Sequence, residues 1–143
     1  MDQSNIGVSA ALAGHAARAR YDTLPSTVLS AFKRALLDFL TCAVSGSTMP
    51  VSQAMLAYFE ENDATRDATV LGSGRKTSVP NAAFVNGANV HGLDFDDGYL
   101  QAAAHPGGAV FPAVLALAER NGASAHVVIT AVTIGYDIML RVG

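Results

Sequence analysis

Apolar residues recur at helical spacing along most of the chain. From Ile6 to about Arg20 an alanine-rich stretch carries Leu12 as its main large apolar side chain. Leu24-Pro25-Ser26 follows, where proline suits a first helical turn because its missing N–H would be unpaired there anyway. Val28, Phe32, Leu36, Phe39, Leu40 and Ala43 then line one face, with Lys33 and Arg34 outside and Gly46 as the stop. A third helix is predicted from Val51 to Glu61, between Pro50 and the polar pair Asn62-Asp63. Ala68–Leu71 reads as a brief extended or buried segment, and Gly72-Ser73-Gly74-Arg75-Lys76 as a loop.

Ser78 and Pro80 then predict the cap and first turn of a helix carrying Ala82, Ala83, Phe84, Val85 and Val90. Leu93–Gly108 breaks the period and reads as a loop. Val110, Val114, Leu117 and Ala118 mark a helix ending near Asn121-Gly122. Ser124 caps a last one through Val127, Val128, Ala131, Val132, Ile134, Ile138 and Met139. No segment sustains a period of two, so the expected fold is all-α, a helical bundle in one domain.

Composition narrows the class. Half of the 143 residues are hydrophobic and 15% are charged, which suits a packed core rather than disorder. A net charge of −3, with nine scattered Lys and Arg, leaves no basic footprint for nucleic acid. The one cysteine, Cys42, rules out an internal disulfide framework and a four-cysteine metal site, and reads as a small buried apolar residue. No apolar run approaches the ~20 residues of a membrane span. Met1-Asp2-Gln3-Ser4 has no basic-then-apolar signal pattern, so a cytoplasmic protein without membrane or nucleic-acid partners is expected.

Chemistry concentrates in the segment that breaks the period. Three of the chain's 12 acids and two of its four histidines fall between His91 and His105, and no Lys or Arg lies between Lys76 and Arg120. Acids without counter-charge in an apolar neighbourhood must be solvated, protonated, capping a helix or bound to a cation. Beside the plain solvated loop, three readings are open. Asp94, Asp96, Asp97 and a histidine could hold Mg²⁺ or another divalent ion, at a spacing too common to be specific. Asp94 and His105 could be a general acid/base pair. Gly107-Gly108, opening the next helix, could present backbone N–H groups to a carboxylate or phosphate. His15 and His126 read as surface or satisfied residues, and Tyr136 and Asp137 as polar members of the bundle.

Several blocks occur in a telling order: Leu24-Pro25, Ala35-Leu36-Leu37-Asp38 and Ser45-Gly46, then Ala82-Ala83-Phe84-Val85-Asn86-Gly87, then His91-Gly92-Leu93-Asp94-Phe95-Asp96-Asp97. His105-Pro106, Pro112, Leu115-Ala116-Leu117-Ala118-Glu119 and Gly135-Tyr136-Asp137 continue it. Together they resemble the MmgE/PrpD family, which includes 2-methylcitrate dehydratase, cis-aconitate decarboxylase and iminodisuccinate epimerase. The resemblance implies a helical domain followed by a smaller lid domain, usually in a homodimer. It implies elimination, decarboxylation or epimerisation on small di- and tricarboxylates, without metal or cofactor. Asp94 carries over as an active-site acid, and His105 as an acid/base or substrate contact. His91, Asp96, Asp97, Gly107 and Gly108 carry over as substrate-binding or supporting residues, with Asp96 and Asp97 tying the loop to neighbouring backbone.

Two departures bear on specificity. Gly98 stands where many members have Thr, and Gly98–Ala104 is one residue longer than in decarboxylase-type members; both count against decarboxylase specificity and leave the general scaffold intact. Members of the family also extend well beyond this length and carry a catalytic lysine, a further histidine and the lid in their later part. Residues 1–143 are therefore expected to be the first part of the helical domain. The charge pattern points the same way, because three aspartates would repel a polycarboxylate unless another segment, subunit or protein supplied cations. The leading expectation is the N-terminal part of a cofactor-independent lyase or isomerase, most similar to 2-methylcitrate dehydratase. The alternatives are a catalytically incomplete helical module for oligomerisation or partner binding, and a divalent-metal-binding acidic loop.

Overall fold

Helix punctuation in the sequence translates almost position by position into a computed structural model that describes residues 7–143. Helix α1 (Val8–Arg18) stops short of Arg20 because that guanidinium turns back onto the Ala17 and Ala19 carbonyls. The expected start at Ile6 lies outside the described residues. A single 3₁₀ turn leads into α2 (Ser26–Gly46), with Pro25 just before the helix rather than in its first turn. Pro50 opens α3 (Pro50–Asn62), and Pro80 lies in the first turn of α4 (Val79–His91), where neither removes an intrahelical bond. Helix α5 (Pro106–Asn121) ends on Gly122 in the left-handed conformation. Ser124 caps α6 (Ala125–Val142) by accepting the Val127 N–H at 3.4 Å.

Three expectations need correction. Arg75-Lys76, read as loop, belongs to an antiparallel ribbon in which β1 (Ala68–Val70) pairs with β2 (Arg75–Thr77), Thr69 opposite Lys76. Strands of three residues show too little alternation to betray themselves in sequence, and this ribbon is held from outside. The Asn86 amide on α4 donates to Thr69 O and accepts from Leu71 N, while Glu119 on α5 accepts from Thr69 and pairs with Lys76. Second, Ser78 makes no side-chain cap; its N–H is bound by Asp63, which also accepts from Thr65, Thr77 and Asn81. Third, the loop expected to run to Gly108 ends at His105, because Pro106 begins α5.

Two cores flank the α4–α5 pair. Phe39, Cys42 and Ala43 of α2 meet Val90, Phe111 and Val132, with the Phe39 and Phe111 rings stacked at 4.9 Å. Leu56, Ala68, Val70, Ala82, Val85 and Ala116 form the other, beneath α3 and the ribbon. Gly46 does more than stop α2: a Cβ there would lie 1.8 Å from the Asn89 carbonyl oxygen, so only glycine lets α2 and α4 touch. Cys42 is buried as expected, and burial, reinforced by Asp38, pushes its thiol up, which disfavours the thiolate.

Helix α6 buries only Val132. Contrary to expectation, its 18 residues reach the length and apolarity of a short membrane span. Its Asp137 is nonetheless bound to His15 and Arg141, and its Tyr136 to Asp97, so these two polar side chains are tied to protein groups.

Candidate active site

The segment that breaks the helical period is fastened at both ends. His91 closes α4, and a turn bonded from Asp94 N to His91 O follows. Tyr99 and Ala104 pair as an isolated bridge that pinches off the exposed 99–104 excursion. His105 then precedes α5, whose N-terminus faces the end of α4. Gly87 on α4 permits this, since a Cβ on it would lie 3.0 Å from the Gly108 carbonyl oxygen, while a Cβ on Gly107 would lie 2.7 Å from Asp97 Oδ1 and 3.0 Å from the Tyr136 hydroxyl.

Within this frame the three aspartates separate. The Asp96 side chain is only 1% exposed, and its Oδ1 lies 3.1 Å from His91 Nδ1 and 3.5 Å from His105 Nδ1. The two imidazoles meet edge to face with centroids 4.9 Å apart. Asp96 Oδ2 is buried with no hydrogen-bond partner among the described residues. Asp97 accepts the Gly107 N–H through Oδ1 at 2.9 Å and the Tyr136 hydroxyl through Oδ2 at 2.8 Å. Burial first, and then Asp97, pushes the Tyr136 phenol far above its ordinary range, so it stays protonated and donating. Asp94 is exposed with φ 50°, and its carboxylate makes no hydrogen bond among the described residues.

His91, Asp96, His105 and Gly108 line an open cavity of about 280 Å³ with Gly87 and Ala109. Of the residues singled out from the sequence, this brings together His91, Asp96, His105 and Gly108. Asp97 and Gly107 lie alongside, bonded to each other, so the Gly107 amide is not free for an anion as expected. Asp94 stands apart. No Lys or Arg lines the cavity, and Lys76 is already paired with Glu119. Tyr136 is the participant that sequence reasoning set among ordinary bundle residues. Its partner lies 39 positions away, and only its place in the Gly135-Tyr136-Asp137 block marked it.

An imidazole with Nδ1 held toward a carboxylate keeps Nε2 available to carry or receive a proton. Chemically, the site can move protons at an open surface. The charge needed to hold a polycarboxylate there is not among its lining residues.

Comparison with known proteins adds a family. Residues 10–143 match the MmgE/PrpD N-terminal domain. The chain is 30% identical over 142 residues to a cis-aconitate decarboxylase of Aspergillus terreus (strain NIH 2624 / FGSC A1156), covering 96% of this chain and 29% of that relative. It is 38% identical over 97 residues to the cis-aconitate decarboxylase of Homo sapiens, covering 67% of this chain and 20% of the relative. For the Mus musculus cis-aconitate decarboxylase the figures are 34% over 113 residues, 78% and 23%. The chain thus spans less than a third of the length of these curated relatives.

Proposed function

Because the chain belongs to the MmgE/PrpD family through its N-terminal domain, we propose that it is the N-terminal helical part of a cofactor-independent lyase acting on small di- or tricarboxylates. The observation that carries this is the buried Asp96 holding His91 and His105 at the rim of one cavity. Asp96 orients His105 so that Nε2 moves a proton at the carbon next to a substrate carboxylate. Asp94, outside the cavity lining on the exposed turn two residues before Asp96, serves as the second acid. Asp97, Tyr136 and Gly107 fix the loop so that His105 keeps its position. The substrate's carboxylates draw their counter-charge from cations outside the described cavity, supplied by a later segment of the family's fold or by a second subunit.

The relatives bear the name cis-aconitate decarboxylase, which makes cis-aconitate the first substrate to test. There a C–C bond breaks, carbon dioxide leaves, and His105 protonates the carbon left with the electron pair. Gly98 and its longer loop favour the dehydratase-like reading, with 2-methylcitrate as substrate. There a proton is removed beside a carboxylate and hydroxide leaves as water. Both are assayed with the chain co-expressed with the C-terminal remainder of a family member. Turnover of either substrate is expected, with kcat reduced at least about 100-fold by His105→Gln while circular dichroism is unchanged. Absence of turnover of both, or an unaltered His105→Gln rate, overturns the reading.

A second reading, a helical module for association, draws on the open apolar face of α6, where only Val132 is buried. It is compatible with the first, because the later part of the family's fold, or a second copy, would cover that face.

A further inference from the structure

We propose that His91, Asp96 and His105 form a binding site for a divalent transition-metal ion of the zinc class. Two imidazole nitrogens and one carboxylate oxygen are a mixed N/O donor set, which suits Zn²⁺, Co²⁺ or Ni²⁺ rather than the all-oxygen shells of Mg²⁺ and Ca²⁺. A hard-cation site built from Asp94, Asp96 and Asp97 is not assembled. The Asp97 oxygens are taken by Gly107 N and the Tyr136 hydroxyl, and Asp94 stands apart on the exposed turn.

Distance supports the assignment. In a tetrahedral site with bonds of about 2.0–2.1 Å, donor atoms lie about 3.3–3.4 Å from one another. His91 Nδ1 and His105 Nδ1 lie 3.1 and 3.5 Å from Asp96 Oδ1, and one donor atom from each of the three residues falls within 4.8 Å of the others. Asp96 supplies the independent observation. Its side chain is 1% exposed, its nearest charge partners are two half-exposed imidazoles, and Oδ2 has no hydrogen-bond partner among the described residues. A carboxylate buried with so little compensation is costly, and a divalent ion on Oδ1 offsets that cost. The cavity of about 280 Å³ over the two rings leaves room for water as the fourth ligand.

An ion on His105 Nδ1 would leave Nε2 holding the ring's only proton, unable to accept another, and so inhibit proton transfer there, a consequence that rests on the lyase reading; the binding itself does not. The test is titration of the chelator-stripped full chain with Co²⁺ alone. The expected result is the visible d–d band of four-coordinate cobalt, saturating at one ion per chain and bleached by Zn²⁺. His91→Ala and His105→Ala should each weaken uptake at least about tenfold. His15→Ala, at the remote pair with Asp137, should leave it unchanged. The His91 side chain is 56% exposed, so its removal leaves the core intact. No saturable band, or equal uptake by the parent and His91→Ala, overturns the site. Metal uptake with undiminished turnover supports the site and counts against His105 in the lyase reading. Turnover without metal uptake does the reverse.

Discussion

Asp96 and Asp97 are neighbours in sequence, yet one carboxylate serves two imidazoles and the other a backbone amide and a phenol. The difference comes from which way each side chain leaves a loop pinned between α4 and α5. Gly98, next in line, bears on specificity through the space it leaves. A Cβ at that position would sit 3.7 Å from His105 Cε1, an ordinary contact, and the backbone there is not left-handed. Gly98→Thr should therefore fold normally and place a hydroxyl beside His105. It is expected to shift the ratio of kcat/KM for cis-aconitate over 2-methylcitrate by about tenfold, equivalent to about 1.4 kcal/mol. An unchanged ratio in the assembled enzyme would remove Gly98 as a determinant.

Between elements, two carboxylates act as ties. Asp63, after α3, gathers Thr65, Thr77, Ser78 and Asn81 and so joins α3 to the ribbon and α4. Hydrogen bonds from Ser78 and then Thr65 hold its carboxyl well below the usual range. A carboxyl depressed in the folded state stabilises above its unfolded pKa of about 3.9 and loses that contribution as pH falls through the folded value. Asp63→Asn should thus be less stable than the parent at pH 7, and the difference should narrow below about pH 4. Urea denaturation at the two pH values measures this; a pH-independent difference would refute it. The other tie runs from Tyr136 on α6 to Asp97. Tyr136→Phe leaves Asp97 Oδ2 without its donor and should cost about 1–2 kcal/mol in thermal or urea unfolding. It should also lower kcat in the assembled enzyme, because Asp97 also holds the Gly107 end of α5.

For the whole molecule, the notable feature is how little α6 buries. Val127 is 57% exposed, and between α1 and α6 a cavity of about 370 Å³ is lined by Ala16, Tyr21, His126 and Ile134 among others. Under the association reading, this apolar face is the surface that a partner or a second copy covers. Sedimentation velocity on the chain alone should show concentration-dependent association, suppressed by Val127→Glu. A monomer at all concentrations would count against the association reading. How far the molecule was legible in advance follows from the range of each interaction. Pro50, Pro80, Gly122 and Ser124 act within a turn or two, and the helices they bound were readable. The ribbon was not, because Thr69 is held by Glu119 and Asn86, residues of other helices.

The sequence by itself determined the helices and the family, since periodicity, caps and motif order are local or linear properties. It also drew attention to His91–Gly108 as the place where apolar periodicity gives way to acids, histidines and glycines. Only the tertiary structure decided how that segment is used. It made Asp96 the buried centre between two histidines, left Asp94 on an exposed turn, committed the Gly107 amide to Asp97, and brought Tyr136 across from the last helix. The physical reason is that burial and hydrogen bonding depend on what packs opposite a side chain. For a loop between two helices, that neighbour comes from elsewhere in the chain.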